Sequence, residues 1–235
     1  MQLDKHVLCG LDDRFIDYEF LSHAMHQQVL APFQALQRAA GIEGFKLTIA
    51  SAYRDFPRQM AIWNDKAAGR RPVYDTHGLP LDISVLDQWQ LAQAILRWSA
   101  LPGASRHHWG TDIDIYDVAA VPEGYDVQLT AAEVSGNGPF VALHDWLDKK
   151  IYNNESEGFF RPYLRDLGGI APERWHLSYA PLAAQYQREL SQNYLVDILR
   201  SQPILLKEVL LDHIDEIYRR YIVVGKSLYS EAYRW

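Results

Sequence analysis

Apolar residues near the start of the chain recur at helical spacing. Pro32 stands inside this run and predicts a kink or a break, because proline removes a backbone donor. Gly41 follows the last apolar position and predicts the end of the helix. The helix is predicted from apolar residues three or four positions apart: Leu21, Met25, Val29, Phe33 and Leu36.

The next segments alternate between strand and helix patterns. Residues 45–52 predict a strand that places Arg54 just beyond its end. Asp55 followed by Pro57 predicts the start of a helix, because an acidic N-cap before a proline is typical of helix N-termini. Residues 87–98 predict a second helix with one apolar face.

Residues 111–116 alternate polar and apolar side chains, which is the period of a strand. Asp112 and Asp114 therefore share one face of that strand. Residues 140–151 are typical of a helix, and residues 175–179 of another short strand. This order predicts an α+β fold, with a small antiparallel sheet flanked by helices.

The pattern changes from Pro181 onward, where one apolar stripe repeats at three and four residues. Ser201 and Pro203 predict the start of its helix. The stripe comprises Leu206, Val209, Leu210, Ile214, Ile217, Tyr218 and Tyr221. We predict a main domain over residues 1–180 and a helical C-terminal extension over residues 181–235. The extension packs on the domain or, alternatively, forms a homodimer interface.

Composition narrows the classes of protein to consider. The net charge of -7 argues against nucleic-acid binding, because neutralising phosphates requires a basic face. The single cysteine, Cys9, rules out a disulfide within the chain. The sequence contains no run of about 20 apolar residues, so no transmembrane segment is predicted.

The first six residues lack a basic start followed by an apolar segment, so no signal peptide is predicted. The expected location is the cytoplasm, or the periplasm if the natural chain begins earlier.

Four residues suggest metal chemistry. His107, Asp114 and His176 supply two imidazoles and one carboxylate, and Glu173 supplies a second carboxylate. Three protein ligands that leave a fourth position open for water, with a spare carboxylate nearby, are typical of a catalytic zinc site. Each residue alone is a weak signal, and the specificity comes from the surrounding motifs.

Three such motifs resemble those of the LAS zinc peptidases, which include VanY-type D-alanyl-D-alanine carboxypeptidases. Residues 105–114 read SRHHWGTDID and resemble the signature S-x-H-x-x-G-x-A-x-D. Residues 173–179 read ERWHLSY and resemble E-x-W-H-x-x-Y. Residues 51–59 read SAYRDFPRQ and resemble S-x-Y-R-x-x-x-x-Q. All three occur in the order found in the family.

The resemblance implies roles for individual residues. It implies one zinc ion per chain on His107, Asp114 and His176, with Glu173 as the general base. It also implies that Arg54 stabilises the oxyanion of the tetrahedral intermediate. Substrate-binding residues are expected at four further positions: Ser51, Gln59, Ser105 and Trp175.

Some alternatives stay open at the level of sequence. Asp112 departs from the small residue of the signature, and we interpret it as a residue that orients His107, or else as a metal ligand in place of Asp114. For Arg54, the alternative is a structural salt bridge to Asp55 or another acid.

The implied function is hydrolysis of the terminal D-Ala of peptidoglycan stem peptides or their precursors. Alternatives of the same fold are an L-alanyl-D-glutamate endopeptidase and a D-Ala-D-Ala dipeptidase, which the loops around residues 69–80 and 120–138 would distinguish. An alternative of another class is a hedgehog-like binding module with a zinc site and no activity.

Overall fold

The computed structural model describes residues 3–19 and 23–235 of the chain. Within these ranges the strands are β1 (Ile16–Asp17), β2 (Met25–His26), β3 (Leu47–Ser51), β4 (Asp112–Asp117), β5 (Phe159–Phe160) and β6 (His176–Tyr179). The α-helices are α1 (Lys5–Leu8), α2 (Leu30–Ile42), α3 (Phe56–Ala67), α4 (Gln88–Trp98), α5 (Val141–Tyr152), α6 (Ala180–Glu189), α7 (Gln192–Ser201), α8 (Lys207–Asp212) and α9 (Ile214–Ile217).

A four-stranded antiparallel sheet in the order β3-β4-β6-β5 forms the centre of the fold. Strands β1 and β2 pair separately as a small antiparallel ribbon. Residues of α2 and α5 pack against the four-stranded sheet, and the predicted α+β class is confirmed.

The two faces of the four-stranded sheet differ in character because side chains alternate along each strand. One face, here called the apolar face, carries Ile113, Ile115 and Leu177, which pack in one buried cluster with residues of α2 and α5. The opposite face, here called the polar face, carries four buried polar residues from β4 and β6: Asp112, Asp114, His176 and Ser178.

Helix α2 begins later than its sequence pattern predicts. Leu21 lies outside the described residues, and Met25 lies in β2 rather than in the helix. Pro32 is the third residue of α2, where the backbone N–H of any residue has no helical acceptor. The predicted kink is therefore wrong, because a proline in the first turn removes no hydrogen bond.

Helices α3 and α4 agree with the sequence predictions, and both begin at acidic N-caps. The Asp55 carboxylate accepts a hydrogen bond from the backbone N–H of Arg58 at 2.8 Å. Asp87 forms a reciprocal capping box with Gln90. These local hydrogen bonds explain why the two helix starts are readable from the sequence.

The predicted start of the C-terminal helix at Ser201 and Pro203 is wrong. Ser201 is the last residue of α7, and its hydroxyl donates to the carbonyl of Ile198 at 3.1 Å. Pro203 follows this helix end, a common position for proline because it cannot continue a helix. Helix α8 begins only at Lys207, after Leu206 adopts a left-handed conformation with φ of 65°.

The C-terminal stripe is buried against the rest of the chain. It divides among α8, α9 and a π-helical turn over Tyr218–Ile222. Leu210 and Ile217 are fully buried in one cluster with Leu91 and Ile95 of α4. The division into domains at residue 180 and a homodimer both stay predictions. Among the residues described, no helix combines the length and apolar character needed to span a membrane.

Candidate metal centre

The sheet register and one tight turn bring the candidate metal ligands together. In the pairing of β4 with β6, Asp114 lies directly opposite His176. His107 lies in the 3-10 turn Arg106–Trp109, which precedes β4. Gly110 ends this turn with φ of 65°, and a Cβ there would lie 2.6 Å from the backbone nitrogen of His26. Glycine is therefore required where the chain turns into β4.

His107, Asp114 and His176 are all buried, and one potential ligand atom from each lies within 4.8 Å of the others. The Nε2 of His107 is 3.4 Å from Oδ2 of Asp114. The Nδ1 of His176 is 3.0 Å from Oδ1 of Asp114. The structure thus brings His176 to His107 and Asp114, which lie more than 60 positions earlier in the sequence.

The hydrogen bonds around this cluster leave one nitrogen of each imidazole facing Asp114. The Nδ1 of His107 lies 2.8 Å from the carbonyl of Ala52, so it donates there and Nε2 keeps its lone pair. The Nε2 of His176 lies 2.9 Å from Oδ1 of Asp112, which leaves Nδ1 on the side of Asp114. Metal-binding histidines are typically oriented by a carbonyl or carboxylate in this way.

The electrostatics of the cluster favour a cation. Burial lowers the pKa of His107, despite the opposing charge of Asp114, and so favours the neutral imidazole. Burial also opposes protonation of His176, but Asp112 and Asp114 raise its pKa to about 10. A positive charge is therefore favoured beside these two carboxylates. Two imidazoles and one carboxylate are a donor set that suits zinc, so the residues present fit this metal.

Asp112 does not orient His107, contrary to our sequence interpretation. Its Oδ1 contacts His176 and also accepts from Nε of Arg106 at 2.8 Å. Its Oδ2 accepts from Thr111 at 2.6 Å and from Ser178 at 3.0 Å. The interpretation was wrong because the 3-10 turn directs the outer nitrogen of His107 toward the backbone of Ala52 instead.

Glu173 lies beside the cluster. Its Oε2 is 3.7 Å from Nδ1 of His176, and its side chain is 16% exposed. Burial raises the pKa of Glu173 to about 7, although the charges of His176, Arg54 and Lys66 oppose this shift. Glu173 is therefore a carboxylate that can exchange protons near neutral pH.

Arg54 lies three residues beyond the end of β3, close enough for the charge of Glu173 to act on it. Its guanidinium donates through Nη1 to Gln59 at 2.8 Å and through Nη2 to Ser51 at 3.3 Å. Burial lowers the pKa of Arg54, and the nearby charges of Asp114 and Glu173 oppose that shift. The hydrogen bonds of Arg54 are to Gln59 and Ser51, whereas Asp55 caps α3.

The other two predicted substrate-binding residues, Ser105 and Trp175, do not contact Arg54 through side-chain hydrogen bonds. Ser105 precedes the turn that carries His107, and its buried hydroxyl has no hydrogen-bond partner among the described residues. Trp175 is 5% exposed and packs with Val134 and Phe140. Roles for both in substrate binding stay predictions.

Lys66 is a residue that our sequence analysis missed. Its Nζ donates to the Ser99 hydroxyl at 2.6 Å, on the side of α3 that also carries Gln59. Burial lowers its pKa to about 8, and Arg54 and Glu173 both act on its charge. Its position seven residues after Gln59, which is two helical turns, was the available signal.

A family model described as VanY, D-alanyl-D-alanine carboxypeptidase, matches residues 22–182. The chain belongs to the VanY family. The resemblance inferred from the three sequence motifs is thereby confirmed.

Relatives of this VanY-family chain differ in how much of each chain aligns. A D-alanyl-D-alanine carboxypeptidase of Enterococcus faecalis is 28% identical over 177 residues, which are 72% of this chain and 54% of that protein. An uncharacterised protein of Haemophilus influenzae is 52% identical over 80 residues, which are 34% of this chain and 55% of that protein. The chain thus spans about half the length of each.

Another uncharacterised Haemophilus influenzae protein is 32% identical over 125 residues, covering 52% of this chain and 93% of that protein. Among solved structures, a zinc complex of a mutant of the vancomycin resistance D,D-pentapeptidase VanY is similar to this chain. It is 22% identical with a TM-score of 0.49, covering 85% of this chain and 92% of that chain. The complex of VanYB with D-alanine-D-alanine has the same identity and TM-score, covering 77% and 87%.

Proposed function

We propose that this protein is a zinc-dependent D-alanyl-D-alanine carboxypeptidase that removes the terminal D-Ala from peptidoglycan stem peptides. The observation that carries the proposal is the position of Glu173. This second carboxylate lies 3.7 Å from His176 at the edge of a His-Asp-His cluster and is not needed as a ligand. Membership of the VanY family supports the substrate class.

One zinc ion per chain would be held by Nε2 of His107, a carboxylate oxygen of Asp114 and Nδ1 of His176. When bound, zinc supplies Lewis acidity, which makes water nucleophilic near neutral pH and polarises a carbonyl group. The carbonyl of Ala52 and the carboxylate of Asp112 hold the two imidazoles in the required orientation.

Glu173 is the proposed general base and acid. Its carboxylate takes a proton from the attacking water as the new C–O bond forms at the scissile carbonyl. It then gives that proton to the departing amine of D-Ala as the C–N bond breaks. A group with a pKa near the working pH performs both transfers best, and burial gives Glu173 that property.

Arg54 is the proposed stabiliser of the tetrahedral intermediate. Its guanidinium is preorganised by Gln59 and Ser51 before any substrate arrives. A fixed cationic donor stabilises a developing oxyanion without a cost of reorganisation. Ser51 and Gln59 therefore contribute by holding the Arg54 guanidinium in position, in addition to any contact that they make with the substrate.

The test is incubation of the zinc-loaded protein with muropeptides that end in D-Ala-D-Ala, followed by mass spectrometry of the products. We expect loss of a single alanine. Release of the dipeptide or cleavage within the stem would instead identify a dipeptidase or an endopeptidase of the same family. An unchanged substrate mass with zinc bound would contradict an enzymatic role and favour the binding module.

A further inference from the structure

Asp112 is the centre of a buried polar network that lies behind the proposed metal site. The side chain is fully buried and contacts His176 on one side and Arg106 on the other. An unpaired buried carboxylate is costly, so the protein must neutralise it. Arg106, whose side chain is 2% exposed, provides the compensating charge at 2.8 Å.

The donors of Arg106 extend the network away from the metal site. Nη2 donates to the hydroxyl of Ser178 at 2.6 Å. Nη1 donates to Oε1 of Gln187 at 3.0 Å and to the phenol oxygen of Tyr229 at 3.2 Å. Because these contacts lie in the protein interior, any one that is lost leaves a buried donor unsatisfied.

The network ends in the C-terminal segment of the chain. The side-chain amide of Gln187 donates to the carbonyl of Val224 at 2.7 Å, and the backbone N–H of Val224 donates back to Oε1 at 3.3 Å. The hydroxyl of Tyr229 donates to the same oxygen at 3.1 Å. Tyr229 is 1% exposed and packs against Phe160, with ring centroids 4.4 Å apart.

Four residues of this network depart from the family signature or lie beyond the match to the family model. Asp112 stands where the family signature has a small residue. Gln187, Val224 and Tyr229 lie beyond residue 182, where the match to the family model ends. A departure from the family signature at the site is thus connected to a segment beyond the match to the family model.

We propose that Val224 and Tyr229, here called the C-terminal anchor, position the metal ligand His176 through Arg106 and Asp112. This inference rests on the proposed function. The anchor holds the guanidinium of Arg106, Arg106 holds the carboxylate of Asp112, and Asp112 holds the imidazole with Nδ1 toward Asp114. The C-terminal segment thereby contributes to the affinity of the site for metal.

The test measures zinc affinity by competition with a chelator for Tyr229→Phe, which removes one hydroxyl and keeps the ring. We expect affinity to fall on the order of 10-fold, the lower end of the effect of outer-shell partners of metal ligands. A second variant, Gln187→Met, removes the shared acceptor and should weaken binding in the same direction. The absorption spectrum of the cobalt-substituted protein should also change in both variants, since the ligand geometry relaxes.

The matched control is Tyr218→Phe. The hydroxyl of Tyr218 also lies in the C-terminal extension and donates to the backbone carbonyl of Leu190 at 2.6 Å, so its removal costs a comparable hydrogen bond. We expect this control to lower the melting temperature of the metal-free protein and to leave zinc affinity and the cobalt spectrum unchanged.

The outcomes separate this inference from the proposed function. Wild-type zinc affinity in both Tyr229→Phe and Gln187→Met, with only the loss of stability seen in the control, would overturn the role of the anchor alone. A wild-type protein that binds no zinc would overturn the proposed function and the anchor together.

Discussion

The apolar and polar faces of the sheet are built from alternating residues of the same strands, yet one stabilises the fold and the other forms the candidate metal site. Leu177 and Ile113 point to the apolar face and pack with α2 and α5. Their neighbours His176 and Asp114 point to the polar face and meet His107. The apolar face stabilises the fold by removing hydrocarbon from water. The polar face buries charged groups, which costs free energy unless they pair with one another or with a cation.

Substitutions of adjacent residues in β6 should therefore have different effects on the protein. A change on the polar face should remove metal or activity from a protein that still folds. A change on the apolar face should remove stability from a protein that, where folded, still binds metal.

His176→Ala should abolish metal binding, because it removes one of three proposed ligands and leaves only His107 and Asp114. Elemental analysis after dialysis should fall from about one zinc per chain to a small fraction of that. His213→Ala is the control, since the ring of His213 stacks on Trp89 at 3.9 Å, apart from the site. Undiminished zinc in His176→Ala would remove this residue from the site.

Glu173→Gln should slow turnover by ~10²–10⁴, the range attributed to general acid–base catalysis, because glutamine keeps the volume but carries no exchangeable proton of suitable pKa. Zinc content and melting temperature should stay near those of the wild type. Glu216→Gln is the control, because Glu216 pairs with Arg220 on the surface at 2.8 Å. Wild-type turnover in Glu173→Gln would contradict the assignment of the base.

Leu177→Ala should lower the free energy of unfolding by about 2–5 kcal/mol, because it deletes a fully buried side chain from the apolar face and leaves a cavity. Chemical denaturation measures this loss. Zinc bound per folded molecule should not change, since the side chain points away from the site. Loss of zinc without loss of stability would contradict the assignment of stability to the apolar face and metal binding to the polar face.

Arg54→Lys should slow turnover by less than the ~10²–10³ that follows removal of an oxyanion donor, because lysine keeps a charge but loses the planar fork. The two hydrogen bonds to Gln59 and Ser51 that hold the guanidinium cannot both be remade by lysine. The kinetic constants kcat and KM, measured at constant zinc, check this. An unchanged kcat would argue against a role in the transition state.

Local signals explain which elements could be predicted. The starts of α3 and α4 depend on caps that are complete within four residues of sequence, and both predictions agree with the structure. Pro32 and Pro203 gave wrong predictions, because proline is tolerated in a first turn and also follows helix ends. Whether a proline lies in the first turn of a helix or after its end depends on tertiary contacts.

Sequence by itself determined the candidate donor set, the family and the alternation that places Asp112 and Asp114 on one strand face, because motif order and strand period are local properties. Only the tertiary structure decided how these donors are held. The pairing of β4 with β6 placed Asp112 beside His176 rather than His107, and Asp114 between the two imidazoles. That outcome depends on contacts between residues more than 60 positions apart, which no local pattern encodes.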